Sequence, residues 1–513
     1  MGGRAPPGLV TLRALVLESP TSRRFGLALA HAALSLLPSV ASADEPATWG
    51  DAAPPPRPAT LPPHEDLALG DKRPEPDYDG REDVTTTAED LLWIPRVLLF
   101  PVYVVSEYVI RMPLGALVTT LEREGVISDL LRSQSEVGVL PTAFIDFGFR
   151  PSIGAYFFWD NFIAKGNDLR ATVAFGGINF WRAGVANRLP FTTPVGAERA
   201  RSYFQLEANV LTRSDLLYWG TGPDAADGWE SAYGIFTAGG GGRIHVEPWR
   251  GRFMEAWITG RYTTTTAGHC SSSEIDVQED VIARVCEPPT IRRQILDGVF
   301  PIPAHYGRPY ATIKSGVRFV LDSRDPRPAP GTGFAADVST ELVTDVKQPD
   351  LGNWVNYGAV VAGFVDLTGS QRVLSLTVAA RFQDTLTSGT VVPFTELVGS
   401  KHVEDVPDLD LMRGFKPGRL LGSSGIAATL EYRWPLWAFL DGTLQAAVGN
   451  AFLEPHLEDF EPEKLRISFV GGLRSPNHRD HSFNFLVGFG TNTIEQGGEP
   501  SSLRLLFGGT TGF

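Results

Sequence analysis

Few residues in this chain are of types that could do chemistry, and their spacing narrows the choice further. Cys270 and Cys286 are the only cysteines and share one polar segment. In an oxidising compartment such a pair reads as a disulfide, and closing a loop of about 15 residues contributes roughly 3 kcal/mol in the chain-entropy model. The rival reading is a metal site, but His269 beside Cys270 would supply only a third ligand. The nine histidines form no His-x-x-x-His pair, and no Gly-x-Ser-x-Gly elbow occurs. The run Gly239 to Gly242 lacks the Gly-Lys-Ser/Thr that a phosphate loop needs. We therefore expect no enzyme activity, no metal and no cofactor, and read the glycine run as a bend or bulge in a strand.

The elements that position these residues are strands. From Ser502 to Phe513 one parity holds Leu503, Leu505, Phe507 and Thr511, and the other Ser502, Arg504, Leu506, Gly508 and Thr510. A strand ending flush with the terminal Phe513 reads as the closing strand of a transmembrane β-barrel, because a sheet spanning lipid must close on itself. Alternating segments fall near 140–150, 152–162, 168–176, 178–190, 201–218, 229–248, 252–265, 306–321, 333–344, 353–367, 371–386, 424–436, 437–451, 464–474, 480–493 and 501–513. Sixteen is an even number, as a single-chain bacterial barrel requires.

The segment at 424–436 shows the pattern plainly. Ile426, Ala428, Leu430, Tyr432, Trp434 and Leu436 share one face, opposite Thr429, Glu431 and Arg433. The expected fold is thus all-β: a 16-stranded antiparallel transmembrane barrel over 140–513 with a short N-terminal helical periplasmic extension. With both termini in the periplasm, the long connections 266–305 and 387–423 are extracellular. Trp159, Trp249, Trp434 and Trp437 are then expected in the periplasmic aromatic girdle, and Tyr218, Trp219 and Trp229 in the outer one. Glu207, Lys314, Arg318, Glu431, Arg433 and Asp441 are expected to face the lumen. A soluble solenoid or sandwich explains neither the parity nor the girdles.

Composition agrees with a barrel. At 513 residues, 43% are hydrophobic, and no apolar run reaches the length of a membrane helix. Arg23-Arg24, the apolar run Phe25 to Leu37 and Ala41-Ser42-Ala43 make residues 1–43 a signal peptide, cut after Ala43. Its removal takes away four basic residues and one acidic one, moving the net charge from −14 to −17. Such acidity argues against nucleic acid as a partner. Residues 44–90, with Pro54-Pro55-Pro56 and Pro62-Pro63, read as a disordered acidic linker. Residues 91–135 read as a broken amphipathic helix at the periplasmic side, lying on the leaflet or in the barrel mouth.

The connection 387–423 contains Leu411-Met412-Arg413-Gly414-Phe415 and Gly418, and leads into Leu430-Glu431-Tyr432-Arg433. Here the chain resembles the BamA/TamA-type outer-membrane barrels, the bacterial surface antigen superfamily. Asp322-Ser323-Arg324-Asp325-Pro326 with Gly331-Thr332-Gly333, and Tyr218-Trp219-Gly220-Thr221-Gly222, are similar to that family too. The resemblance implies a sixth extracellular loop folded back into the lumen, its tip at Arg413, Gly414 and Phe415. It also implies that Arg413 pairs with an acidic residue of the thirteenth strand in a Phe-x-Asp-x-Gly pattern. Phe439-Leu440-Asp441-Gly442-Thr443 matches at Phe439 and Asp441 but carries Thr where the last Gly belongs. Asp441 shares the inward parity of Thr443 and Gln445, and Glu431 is expected as a secondary partner. A guanidinium held inside a barrel needs fixed carboxylates to offset its desolvation.

The family's assembly factors carry periplasmic POTRA domains, whereas residues 44–140 show no βααββ pattern. The chain thus reads as a POTRA-less member. The implied setting is the bacterial outer membrane, with lipid as one partner and insertion by the barrel-assembly machinery. Clients would be unfolded outer-membrane proteins or other polypeptides. Two functions are carried forward: outer-membrane protein insertion or translocation, and a passive porin-like diffusion channel.

Overall fold

The computed structural model describes residues 136–146, 149–191, 202–249, 251–268, 288–324, 331–347, 352–369, 371–399, 412–437, 440–475 and 482–510. The segments 1–43, 44–90 and 91–135, the Cys270–Cys286 pair and Phe513 lie outside them. Among the described residues, sixteen strands close into one antiparallel barrel. They are β1 (Val137–Asp146), β2 (Ser152–Trp159), β3 (Asp168–Gly177), β4 (Phe180–Pro190), β5 (Tyr203–Tyr218) and β6 (Ser231–Trp249). Then come β7 (Arg252–Thr266), β8 (Tyr310–Asp322), β9 (Gly333–Asp345), β10 (Asn353–Asp366) and β11 (Val373–Thr385). The last five are β12 (Ser424–Trp437), β13 (Leu440–Phe452), β14 (Arg466–Arg474), β15 (Ser482–Thr493) and β16 (Pro500–Thr510). Each matches one alternating segment of the sequence.

Period two explains the two faces. Ile153, Val173, Phe175, Ile258, Phe319, Val361, Leu376, Leu430 and Leu503 stand exposed on the outside of the wall. An apolar exterior on a closed barrel is what a bilayer demands, since closure leaves no unpaired backbone in lipid. No described helix is long and apolar enough to cross a membrane; the crossing is made by strands. The chain is a transmembrane β-barrel of the outer-membrane type.

At one end the connections are short, as between β6 and β7, where Trp249 is exposed to the exterior. At the other end the connections following β5, β7, β11 and β13 are long, which marks the extracellular side. There the aromatics depart from expectation. Tyr218 and Trp219 are buried rather than set in an outer girdle, and Trp229 packs against the same interior. Tyr218, Tyr233, Phe300 and Phe394 form an aromatic cluster with Ile291, which opens the short helix α1 (Ile291–Leu296). Ring centroids of Tyr218 and Tyr233 lie 5.2 and 5.1 Å from that of Phe394, edge to face. These rings hold the extracellular loops together because the loops fold over the barrel mouth and need an apolar core of their own.

Candidate functional site

The connection from β11 to β12, loop 6 of the barrel, runs into the lumen. Its first part is pinned by Glu396, whose carboxylate accepts from Lys314 Nζ at 2.6 Å and from the Tyr310 hydroxyl at 3.1 Å. Two short stretches, Val398–Gly399 and Leu421–Gly422, then pair with each other and close the loop on itself. Between them lies the Arg-Gly-Phe tip. Met412, Phe415 and Leu420 join a buried cluster with Val360, Ala362, Ala379, Ala427, Ala447 and Ala451. Small side chains on that inner wall leave room for the loop.

The tip is fitted closely to β14 and β15. Gly414 donates its N–H to Ser468 Oγ at 2.8 Å. A methyl group on Gly414 would overlap the Phe489 carbonyl oxygen and stand 2.6 Å from Ser468 Oγ. Reciprocally, a side chain at Gly490 would overlap the Phe415 ring, which is 1% exposed. Both glycines are needed for close approach.

Polar contacts complete the docking. Arg419 donates from Nη1 to the Ala225 carbonyl at 2.9 Å and from Nη2 to Asp227 at 2.7 Å. Burial pushes the Arg419 guanidinium below its ordinary range, while Asp227 pushes it back up. Lys416 reaches Glu230 at 3.0 Å. Arg466 donates to the carbonyls of Pro223 and Ala225, both at 3.0 Å. The β5–β6 connection carrying Trp219-Gly220-Thr221-Gly222 is thereby clamped onto the loop.

Arg413 borders a crevice with Leu486, Gly488, Arg504 and Leu506. Asp441, 1% exposed, sits on the inner face two residues along β13 from Thr443. Thr443 is level with Gly472, which is level with Leu486. The register therefore sets Asp441 two strands across the wall from Leu486 and one inward-facing position along it. Glu431 faces inward as expected. It accepts from Thr443 Oγ1 at 2.8 Å, Arg433 Nη2 at 3.1 Å and Arg474 Nη1 at 3.4 Å.

The barrel closes where β1 meets β16. Among the described residues β1 and β16 share three register pairs, Phe144↔Gly508, Ile145↔Phe507 and Asp146↔Leu506. By contrast β1 matches β2 from Val137↔Trp159 to Phe144↔Ser152. On the lumen face Arg504 of β16 binds Asp146 of β1 through Nη2 at 3.1 Å and Nε at 3.3 Å. The same guanidinium donates from Nη1 to the Phe415 carbonyl at 3.2 Å and approaches that of Arg413 at 3.5 Å. Neither Asp146 nor Arg504 was singled out from sequence, although Arg504 stands on the inward parity of its strand.

The opposite side of the lumen is open and polar. A cavity of about 670 Å³ is lined by Arg188, Glu207, Arg243, Glu255, Arg318, Glu341 and Arg381, among others. Its charges are largely cross-linked. Glu255 meets Arg243 at 3.3 Å, His245 at 3.1 Å and Arg318 at 3.5 Å, and Arg318 also binds Asp337. The expected lumenal Glu207, Lys314 and Arg318 all face this side.

No protein-family model matches the sequence, and no curated relative matches it. Solved barrels do. BamA from Haemophilus ducreyi lacking POTRA domains 1–3 is similar at 14% identity and TM-score 0.49, over 73% of this chain and 70% of that one. CdiB from Acinetobacter baumannii follows at 11% identity and TM-score 0.42, over 73% and 60%. CdiB from Escherichia coli stands at 12% and 0.40, over 72% and 62%. The chain thus spans less than two thirds of either CdiB. The barrel assignment itself rests on the closed strand ladder.

Proposed function

We propose that this barrel inserts or translocates polypeptides at the outer membrane, with loop 6 as a removable plug and the β1–β16 seam as the lateral exit. The observation that carries the reading is the seam. On its lumen face the Asp146–Arg504 ion pair joins β1 to β16, and the same Arg504 reaches the loop-6 tip, so seam and plug meet at one side chain. The docked Arg413-Gly414-Phe415 tip agrees, because a pore built for steady diffusion gains nothing from a loop fitted to its wall. The polar cavity favours the second reading, a diffusion channel, since mixed lumenal charge admits water and selects ions weakly.

A seam lock tests the choice. Phe144 and Gly508 are directly opposed, at a spacing between facing strands that a disulfide spans. Phe144→Cys with Gly508→Cys, in a background lacking Cys270 and Cys286, should block assembly of a urea-unfolded barrel client in liposomes when oxidised and restore it on reduction. Equal client assembly in both states refutes the lateral exit. A large, steady wild-type conductance in planar bilayers, unchanged by removing the loop, favours the channel.

A further inference from the structure

Asp146 and Arg504 are both buried on the lumen face, one on each side of the seam. As a plain interior ion pair Arg504 would need only its carboxylate. Instead its two edges point at different elements. The Nε/Nη2 edge faces Asp146 on β1, and Nη1 faces the backbone carbonyls of Arg413 and Phe415 at the loop tip. A guanidinium is a rigid planar fork, so it cannot swing to follow one partner without leaving the other.

We propose that Arg504 couples the plug to the seam, its single guanidinium holding the loop tip by the Arg413 and Phe415 carbonyls and the β1 edge by Asp146, so that release of either frees the other. If the seam opens, Asp146 leaves, and a buried cation without its carboxylate is driven toward the water of the lumen. That movement withdraws Nη1 from the tip. If the tip undocks first, water reaches Arg504 and Asp146, and the seam loses the low-dielectric setting that strengthens the pair. Coupling of this kind is reciprocal. It rests on the proposed roles of loop and seam as moving parts, but it needs no client, so its failure and that of the insertion role are separable.

The test reads both parts in the full-length protein. Lumen opening is measured as the open fraction in single-channel recording. Seam closure is measured by dipolar broadening between spin labels at Ile145→Cys and Phe507→Cys, opposed positions on the outer face. Asp146→Asn alters only the seam side, and Gly414→Ala only the loop side. Coupling requires each to move both readouts, with Asp146→Asn raising the open fraction about tenfold and Gly414→Ala removing the broadening. Wild-type conductance in Asp146→Asn, or intact broadening in Gly414→Ala, overturns it. Should Asp146→Asn fail to fold, the swap Asp146→Arg with Arg504→Asp keeps an ion pair across the seam while presenting a carboxylate to the tip carbonyls. Its expected result is retained broadening with a raised open fraction, and wild-type conductance there also overturns the coupling.

Discussion

Adding one methyl group at Gly414 should release the plug. The glycine lies so close to β15 that a Cβ would overlap the Phe489 carbonyl oxygen, and Ser468 Oγ would stand 2.6 Å away. The serine hydroxyl can rotate aside, but the carbonyl belongs to the barrel wall and is fixed by the β14–β15 ladder. The tip must therefore lift. Lifting breaks the 2.8 Å hydrogen bond from the Gly414 N–H to Ser468, worth about 1 kcal/mol net. The overpacking itself costs about 1–3 kcal/mol. Together these give about 2–4 kcal/mol against docking, or roughly 30- to 1,000-fold in the ratio of docked to undocked loop. Single-channel recording of Gly414→Ala should show a wide, long-lived open state where the wild type conducts poorly or flickers. The barrel should still fold, as judged by its gel shift on heating, because no strand is altered. Wild-type conductance in a folded variant would refute the close-packed tip.

Three further outcomes follow from the same architecture. Arg413→Ala and Asp441→Ala should each cost about 3–5 kcal/mol, and the double mutant clearly less than their sum, as the pairing implied by the resemblance requires; simple additivity in urea unfolding counts against contact. Peptide mass spectrometry without reduction should recover Cys270 and Cys286 bridged, and two free thiols would disprove the disulfide. Burial lowers the His305 pKa below its ordinary value, with Asp345 pushing back, so the folded state favours the neutral ring. The unfolded chain then takes up the proton first, and the 301–310 connection should become more protease-sensitive as pH falls below about 6.5 but not change above it. His305→Asn, which suits the positive φ of 61°, should remove that dependence.

The strands were legible because their signal is local. Alternation within ten or so residues fixes which side chains face lipid, and that face carries no partner choice to get wrong. Partner choice is not written in that alternation. Parity placed Glu431 and Asp441 on the inner face, with Arg433 two residues along the same strand, but not the cross-strand register that brings Thr443 and Arg474 to Glu431. Asp146 and Arg504 lie in the first and last strands, and the register of closure is written in neither segment alone. Tyr218 and Trp219 misled for another reason. An amphipathic ring at a strand end suits the lipid interface or a loop core equally well, and only the inward fold of the extracellular loops decides between them.

The two halves of the lumen wall differ in a way that bears on mechanism. Around the β12–β16 side the inner face beside the loop tip carries Ala427, Ala447, Ala451, Gly488 and Gly490, shaped to a loop that brings its own glycine into contact. Around the β4–β9 side it is a ladder of charges satisfied by one another, with Arg318 shared between Glu255 and Asp337. The loop is held partly by apolar contact and partly by groups that water can replace: Lys416 to Glu230, Arg419 to Asp227, and the carbonyls on Arg504. A permanent constriction would not need replaceable bonds at its edges. A plug that leaves and returns does, because each bond lost on undocking can be remade to solvent at small net cost. The open, charge-lined half then offers the displaced segment somewhere to go without burying an unpaired charge.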